Sequence, residues 1–367
     1  MADPRLHKLA EILVHYSAAV QPGDWVRILG DVAALPLVTE VARLVTRAGG
    51  NPTVQLTAED LDEAFLSEAS PAQLEWIAPT DPIVNDQMDV SIRIAAATNT
   101  RALTGIDPAK QRAQQNARRA MRLRYMQRAA EGKLRWVLTQ FPCPAYAQDA
   151  DMSLREYENF VYAATFADQP DPVASWRGIH DTQQRLVDWL KGKRAVQVRG
   201  PNIDMTLSIA DRTFINSDGR RNMPSGEIFT GPVEDSVSGW VKFTYPAIRG
   251  GVEVEGVEME FKDGQVVAAR ARKNEAYLLS QLDSDAGARY LGEFAVGTNY
   301  GIQRFTKSIL YDEKIGGTLH MALGAGYPET GSKNQSSIHW DFICDMRQDS
   351  AIYVDGELLY KDGQFQI

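Results

Sequence analysis

Hydrophobic residues recur with two different periods along this chain, and the change of period divides it into two parts. In the first part, segments with helical spacing alternate with short apolar runs. Residues 6–16 and 35–48 predict helices, whereas 25–29 and 53–56 predict strands. A strand, a helix and a second strand in this order are typical of a parallel sheet flanked by helices.

The same alternation continues to about residue 190. Strand-like runs at 90–95 and 134–140 enclose a long helix predicted at 108–130, and two further helices are predicted before Leu190. We therefore predict an α/β N-terminal domain with a mainly parallel sheet over residues 1–190.

The second part, residues 191–367, changes to a period of two, which is typical of strands with one buried face. Its clearest hairpin joins 257–261 to 265–268 through a Lys-Asp-Gly turn. Helices are predicted only at 275–282 and 285–293. We predict an α+β C-terminal domain that is rich in antiparallel strands.

Composition excludes several classes of protein. The 39 lysines and arginines against 48 aspartates and glutamates give a net charge of −9, which argues against nucleic acid as the main partner. The two cysteines are too few for a disulfide framework or a cysteine-based zinc site. The chain has no signal-peptide core and no apolar run of about 18 residues, so we expect no membrane partner and a cytoplasmic location.

The helix at 108–130 is strongly basic, with no acidic residue between Asp107 and Glu131. Such a surface can bind anions or nucleic acid, but in an acidic chain a solvated or subunit-facing helix is the preferred interpretation. Nucleotide binding is not supported either. The segment after the first strand has a single glycine, Gly30, instead of the glycine-rich phosphate-binding pattern.

Candidate metal chemistry lies in the second part. His339 and Asp341 are two residues apart in a period-two region, so both side chains would lie on one face of a strand and can converge on one ion. His320 lies in an apolar run with glycines on both sides, which fits either a core histidine or a ligand. Glu227 lies in a loop rich in proline and glycine, and Glu293 ends the helix predicted at 285–293.

Four sequence motifs around these residues carry a family resemblance. They are NMPSGEIFTGP (222–232), DAGARYLGE (285–293), HMALGAGY (320–327) and SIHWDF (337–342). In this order and approximate spacing they resemble the thermophilic aminopeptidase family of metallo-aminopeptidases. The resemblance covers most of the chain and is densest between residues 195 and 360.

The resemblance implies a two-metal aminopeptidase that removes the N-terminal residue from short peptides by means of a metal-bound hydroxide. It also implies a homodimer. By motif, Tyr327 would stabilise the oxyanion, Glu293 would act both in catalysis and as a ligand, and the metal ligands would be Glu227, Glu293, His320, His339 and Asp341. Carboxylates and imidazoles without thiolates suit two divalent ions of Zn, Co, Mn or Mg. Five ligands leave room for water and substrate if a carboxylate bridges the ions.

Residues 311–318 depart from the family's usual Asp-Glu-Asn run, and the chain is short for the family. Two alternatives stay open. His320, His339 and Asp341 alone form the ligand set of a non-haem Fe(II) enzyme, such as a ring-cleaving dioxygenase on the same scaffold. The other alternative is a non-catalytic member of the scaffold. Glu227 and Glu293, which supply ligands for a second ion, favour the peptidase.

Overall fold

The structure is a computed structural model that describes residues 3–367. Met1 and Ala2, which belong to the segment searched for a signal peptide, lie outside the described residues. The described chain forms two compact units. The N-terminal unit contains the residues up to Ser175 together with 219–224, and the C-terminal unit contains 176–218 and 225–367. The division predicted at residue 190 stays a prediction, since compactness alone does not test where an independent domain begins.

Most α-helices lie in the first half of the chain. They are α1 (Pro4–Glu11), α2 (Leu35–Arg47), α3 (Glu59–Glu68), α4 (Pro71–Glu75), α5 (Thr80–Gln87), α6 (Pro108–Ala117), α7 (Arg119–Ala130), α8 (Pro144–Asp149), α9 (Leu154–Ala164), α10 (Pro172–Leu190), α11 (Glu275–Leu282) and α12 (Ile309–Asp312). A π-helix at Ile12–Ser17 continues α1, and 3₁₀ turns lie at Val32–Ala34 and Pro328–Thr330. Within residues 3–367, no helix combines the length and the apolar character that crossing a bilayer requires.

The strands follow the predicted change of pattern, with most of them after residue 190. They are β1 (Trp25–Asp31), β2 (Asn51–Thr57), β3 (Val90–Ala95), β4 (Arg135–Gln140), β5 (Ala195–Gly200), β6 (Ile203–Ser208), β7 (Ile215–Ser217), β8 (Asn222–Met223), β9 (Glu227–Thr230), β10 (Ser238–Lys242), β11 (Ala247–Arg249), β12 (Val252–Val254), β13 (Glu258–Lys262), β14 (Gln265–Arg270), β15 (Leu291–Gly297), β16 (Thr318–Gly324), β17 (His339–Asp345), β18 (Ala351–Val354), β19 (Glu357–Lys361) and β20 (Gln364–Phe365).

The N-terminal unit is built on a parallel five-stranded sheet in the order β2-β1-β3-β4-β8. Helix α2 packs against β1 and β2 with an apolar face that contains Leu37, Val41 and Leu44. The predicted α/β architecture with a parallel sheet is confirmed. Strand β8 was not predicted, because it is two residues long and follows β4 by more than 80 residues.

The C-terminal unit contains two large antiparallel sheets. One has eight strands in the order β14-β13-β10-β6-β5-β18-β19-β20, and the other has five in the order β17-β16-β15-β9-β7. Strands β11 and β12 form a separate ribbon. The predicted hairpin of β13 and β14 is present, and the predicted wealth of antiparallel strands is confirmed.

One hydrophobic core includes residues from both large sheets of this unit. In β16 the core residues are Leu319, Met321 and Leu323, and in β17 they include Trp340 and Phe342. Side chains alternate between the faces of a strand, so the residues between these positions lie on the opposite face of the five-stranded sheet.

Two helix predictions are wrong in detail. The helix predicted at 108–130 is broken at Arg118 into α6 and α7. The helix predicted at 285–293 does not form: turns occupy residues 286–289, Tyr290 forms an isolated bridge with Gln265, and β15 begins at Leu291. The carboxylate of Asp285 accepts hydrogen bonds from the backbone N–H groups of Gly287 and Ser337, a local arrangement that competes with a helix. Within β15, a Cβ at Gly292 would lie 2.3 Å from the backbone oxygen of Ala325, so the chain passes too close there for a side chain.

We expect Gly324→Ala to destabilise the C-terminal unit more than Gly356→Ala does. Both glycines have positive φ, +99° and +83°, so both variants pay the strain of a left-handed backbone, about 1–2 kcal/mol. A Cβ at Gly324 would also lie 2.1 Å from the oxygen of Ile338, whereas nothing lies within 4 Å of one at Gly356. This overlap should cost about 1–3 kcal/mol more. Urea unfolding measures the free energy of unfolding of both variants. Equal decreases in that free energy would contradict the prediction and would show that β16 and β17 move apart easily at Gly324.

Candidate metal centre

The five predicted ligands lie on four neighbouring strands of one sheet. Glu227 begins β9, Glu293 lies in β15, His320 lies in β16, and β17 carries His339 and Asp341. His320, His339 and Asp341 alternate with residues of the hydrophobic core, so they lie on the sheet face opposite to it. The alternation that builds the core therefore gathers these polar side chains on the other face.

Small residues on β16 leave room in the middle of this face. Ala322 pairs with Glu293 on one side and with Asp341 on the other. Two residues further along, Gly324 pairs with His339. Ala322 and Gly324 share one face of β16 with His320. The carboxylates and imidazoles therefore surround two positions with little side-chain volume.

A β-bulge directs Glu293 toward the cluster. The pairing of β15 with β16 shifts between Leu291 and Glu293, while both Leu291 and Phe294 belong to the hydrophobic core. With regular alternation Leu291 and Glu293 would share a face. The extra residue of the bulge places Glu293 opposite the core, a common use of bulges next to functional sites.

Atoms of the five side chains lie close together. Nε2 of His320 is 3.2 Å from Oε2 of Glu227 and 3.4 Å from Oε1 of Glu293. Nε2 of His339 is 3.3 Å from Oε2 of Glu293 and 3.5 Å from Oδ1 of Asp341. Glu293 thus presents one carboxylate oxygen to each histidine. Two groups of three ligand atoms, each group within 4.8 Å, share this residue.

Several of these atoms are buried without a hydrogen-bond partner. They are Oε2 of Glu227, both ring nitrogens of His320, and Oδ1 of Asp341. A buried polar atom left in this state costs about 1–3 kcal/mol. Carboxylate oxygens and imidazole nitrogens are ligands of Zn, Co, Mn and, for the oxygens, Mg. These residues therefore fit a site for divalent cations.

The backbone holds His339 in an orientation suited to a ligand. Its Nδ1–H donates to the oxygen of Ala325 at 2.7 Å, which leaves Nε2 directed at Glu293 and Asp341. Metal-binding histidines commonly donate their second N–H to a carbonyl in this way. The guanidinium of Arg249 donates to the backbone oxygen of His339 at 3.0 Å and fixes the same residue from the other side.

Sequence reasoning missed two residues of this cluster. Glu313 forms a third group of possible ligands with His320 and Asp341. The side chain of Lys314 is 1% exposed, and its Nζ contacts both Glu313 and Glu227, with 2.5 Å to Oε1 of Glu227. The available signal is the run Asp312-Glu313-Lys314, three charged residues shortly before the wholly buried strand β16.

The charges of the cluster shift its pKa values strongly. Burial alone would lower the pKa of His320, but the adjacent Glu227 and Glu293 raise it to about 10. Burial likewise opposes the charged form of His339, and contacts with Asp341 and Glu293 raise its pKa to about 11. Burial opposes ionisation of Glu227, yet Lys314 and His320 lower its pKa to about 2.

Glu313 and Tyr327 favour their protonated forms. Burial raises the pKa of Glu313 to about 7, with Lys314 opposing this shift and Glu227 adding to it. Tyr327, in the loop after β16, is 38% exposed, and its ring lies 5.3 Å from that of His339. Partial burial and the charge of Glu293 raise its pKa, so its hydroxyl stays protonated and can donate a hydrogen bond.

The fold and this cluster define a two-unit protein with a candidate site for divalent cations on an antiparallel sheet. The family model described as thermophilic metalloprotease (M29) matches residues 2–365. The chain therefore belongs to that family, whose members are metallo-aminopeptidases. The predicted family and the predicted enzyme class, a hydrolase and exopeptidase, are confirmed.

Curated relatives match along nearly the whole chain. Aminopeptidase 2 of Geobacillus stearothermophilus is 29% identical, and the match spans 96% of this chain and 91% of that relative. Aminopeptidase T of Thermus thermophilus is 27% identical, and the match spans 98% of this chain and 95% of that relative.

Two solved structures share the fold. Wild-type AmpT from Thermus thermophilus matches with a TM-score of 0.86 and 23% identity, covering 99% of both chains. The 2,5-dihydroxypyridine dioxygenase from Pseudomonas putida KT2440 matches with a TM-score of 0.57 and 13% identity, covering 100% of this chain and 98% of its own. Both likenesses concern the fold alone, and the family match does not favour the dioxygenase alternative.

We expect divalent cations to displace protons from the metal-free protein. With pKa values near 10 and 11, His320 and His339 are protonated at pH 7, whereas a cation binds neutral imidazole. Binding should release one to two protons per chain, and the affinity should rise with pH. Calorimetric titration with Zn²⁺ in buffers of different ionisation enthalpy counts these protons. An unchanged apparent enthalpy across buffers would contradict the prediction.

Proposed function

We propose that this protein removes the N-terminal residue from short peptides with the aid of two divalent cations. The proposal rests on the convergence of five ligand side chains on one sheet face, together with the family. Glu293, Glu227 and His320 would hold one ion, and Glu293, His339 and Asp341 would hold the other. Glu293 would belong to both sites, because its Oε1 lies 3.4 Å from Nε2 of His320 and its Oε2 lies 3.3 Å from Nε2 of His339.

Bound divalent ions supply Lewis acidity toward a peptide carbonyl and lower the pKa of water. The protein's own contribution is position and charge. Glu293 aligns the two ligand groups, and His339 is fixed by Ala325 and Arg249. The protonated hydroxyl of Tyr327 is suited to donate to the oxyanion that develops during attack on the carbonyl.

A cavity of about 210 Å³ beside the ligands offers space for the substrate. It is lined by His339 and Asp341 and also by Ile309, Arg249 and Lys307. A volume of this size suits a piece of a small peptide rather than a folded chain. Arg249 and Lys307 beside an acidic cluster favour a short peptide, whose terminal carboxylate these two side chains would attract.

The proposal extends to the assembly and the setting of the enzyme. As the family resemblance implies, we propose a homodimer that works in the cytoplasm. The excess of acidic residues argues against nucleic acid as a partner. Light scattering on the purified chain determines the oligomeric state.

We expect unblocked di- and tripeptides to be cleaved and their N-acetylated forms to be inert, because an exopeptidase must bind the free amino group. The assay uses metal-stripped protein titrated separately with Zn²⁺, Co²⁺, Mn²⁺ and Mg²⁺. Free amino acids are measured alongside the number of ions bound. Activity that saturates near two ions per chain supports the proposal, whereas equal cleavage of acetylated peptides would refute an exopeptidase.

We expect Tyr327→Phe to lower kcat about 100-fold while its metal content stays unchanged, because one oxyanion donor is worth about 3 kcal/mol. A matched control is Tyr353→Phe, which removes a tyrosine hydroxyl from β18 in the eight-stranded sheet. If kcat of the Tyr327 variant equals that of the unmodified protein, the tyrosine has no role in the reaction.

A further inference from the structure

A buried lysine is the least expected member of the metal cluster. The side chain of Lys314 is 1% exposed, and lysines are almost never buried without paired charges. Its partners are Glu227 and Glu313, both within ion-pair distance of Nζ. None of its ion pairs in the described part of the chain reaches Glu293 or Asp341. The ammonium group therefore lies at one side of the cluster only.

The contact with Lys314 engages one oxygen of the Glu227 carboxylate and leaves the other without a hydrogen bond. Its Oε1 lies 2.5 Å from Nζ of Lys314, while its Oε2 has no hydrogen-bond partner and faces Nε2 of His320 at 3.2 Å. Oε2 is therefore the oxygen better placed for a cation. An ion held by Glu227 and His320 would share this carboxylate with the ammonium group of Lys314, and the two positive charges would repel each other.

The second ligand group has almost the same chemistry without this neighbour. Each group consists of two carboxylates and one imidazole, and Glu293 belongs to both. The second group adds His339 and Asp341, whose side chains are 29% and 12% exposed. Among residues 3–367, the ion pairs of Lys314 are with Glu227 and Glu313 and not with Asp341. Because the ligand types match, the groups differ mainly in the ion pair beside Glu227: Lys314 occupies one oxygen of Glu227, and Glu313 offsets part of the charge of Lys314.

We propose that Lys314 makes the two cation sites unequal. The ion held by Glu293, His339 and Asp341 binds tightly and first. The ion held by Glu227, Glu293 and His320 binds more weakly, because it shares Glu227 with the ammonium group and is repelled by it. This inference rests on the proposed two-ion function, and it assigns Lys314 as a positioning residue that sets the occupancy of one site.

The test measures metal binding rather than turnover. The full-length, metal-stripped protein is titrated with Mn²⁺ and separately with Co²⁺, with calorimetry for the affinities and elemental analysis for the number of ions. We expect two binding steps with Kd values at least tenfold apart. In Lys314→Met the weaker Kd should fall at least tenfold, while the tighter Kd should stay within about threefold.

Two control variants isolate the charge of Lys314. Lys314→Arg keeps a cation and should retain two unequal Kd values. Lys242→Met removes a half-exposed lysine that pairs with Glu258 on another strand, and it should change neither Kd. A weaker second Kd in Lys314→Met would overturn the inference, since it would mean that the lysine orients Glu227 for the ion.

Glu227→Gln gives an independent reading, even if Lys314→Met fails to fold. It should lose the weak step and keep the tight one, and loss of the tight step would overturn the proposed order. Two equal Kd values that Lys314→Met leaves unchanged would refute the inference while the two-ion aminopeptidase stands. A protein that binds no second ion at any concentration but still cleaves unblocked peptides would instead refute the two-ion function.

Discussion

Mutual repulsion among four carboxylates is the constraint around which the C-terminal unit is organised. Glu227, Glu293, Glu313 and Asp341 come together on one sheet face, where burial makes uncompensated charge expensive. The positive charges of the imidazoles and of the buried Lys314 reduce that cost, and divalent cations would reduce it further. The strongly shifted pKa values follow from this balance of burial and charge.

The opposite face of the same sheet supplies the energy that holds these groups together. Leu319, Met321 and Leu323 of β16 are buried in a core shared with the eight-stranded sheet. A strand fixed by its apolar residues has no freedom to turn its polar residues away. The small side chain of Ala322 completes the arrangement, because a larger residue between Glu293 and Asp341 would occupy the space that ligands converge on.

Sequence alone was informative where the signal is local. The period of two placed His339 and Asp341 on one strand face, and the parallel and antiparallel regions followed from the spacing of apolar residues. Glu227 and His320 were recognised through family motifs, since nothing local tells that separate strands meet. Glu293 was placed at a helix end, because a bulge leaves no clear periodic pattern. Lys314 could not be predicted for a related reason. It lies in an irregular segment after a four-residue helix, where the sequence has no hydrophobic periodicity.

The short strand β8 has a consequence for handling this protein in pieces. Residues 219–224 belong to the N-terminal unit, although they follow β7 in the chain, and Met223 pairs with Thr139 of β4. A recombinant fragment that stops at residue 190 would leave one edge of β4 uncovered. Exposed edges of this kind recruit other strands and promote aggregation. The two halves are therefore poor candidates for exchange between homologues as interchangeable modules, and chimeras should carry residues 219–224 with the N-terminal sequence.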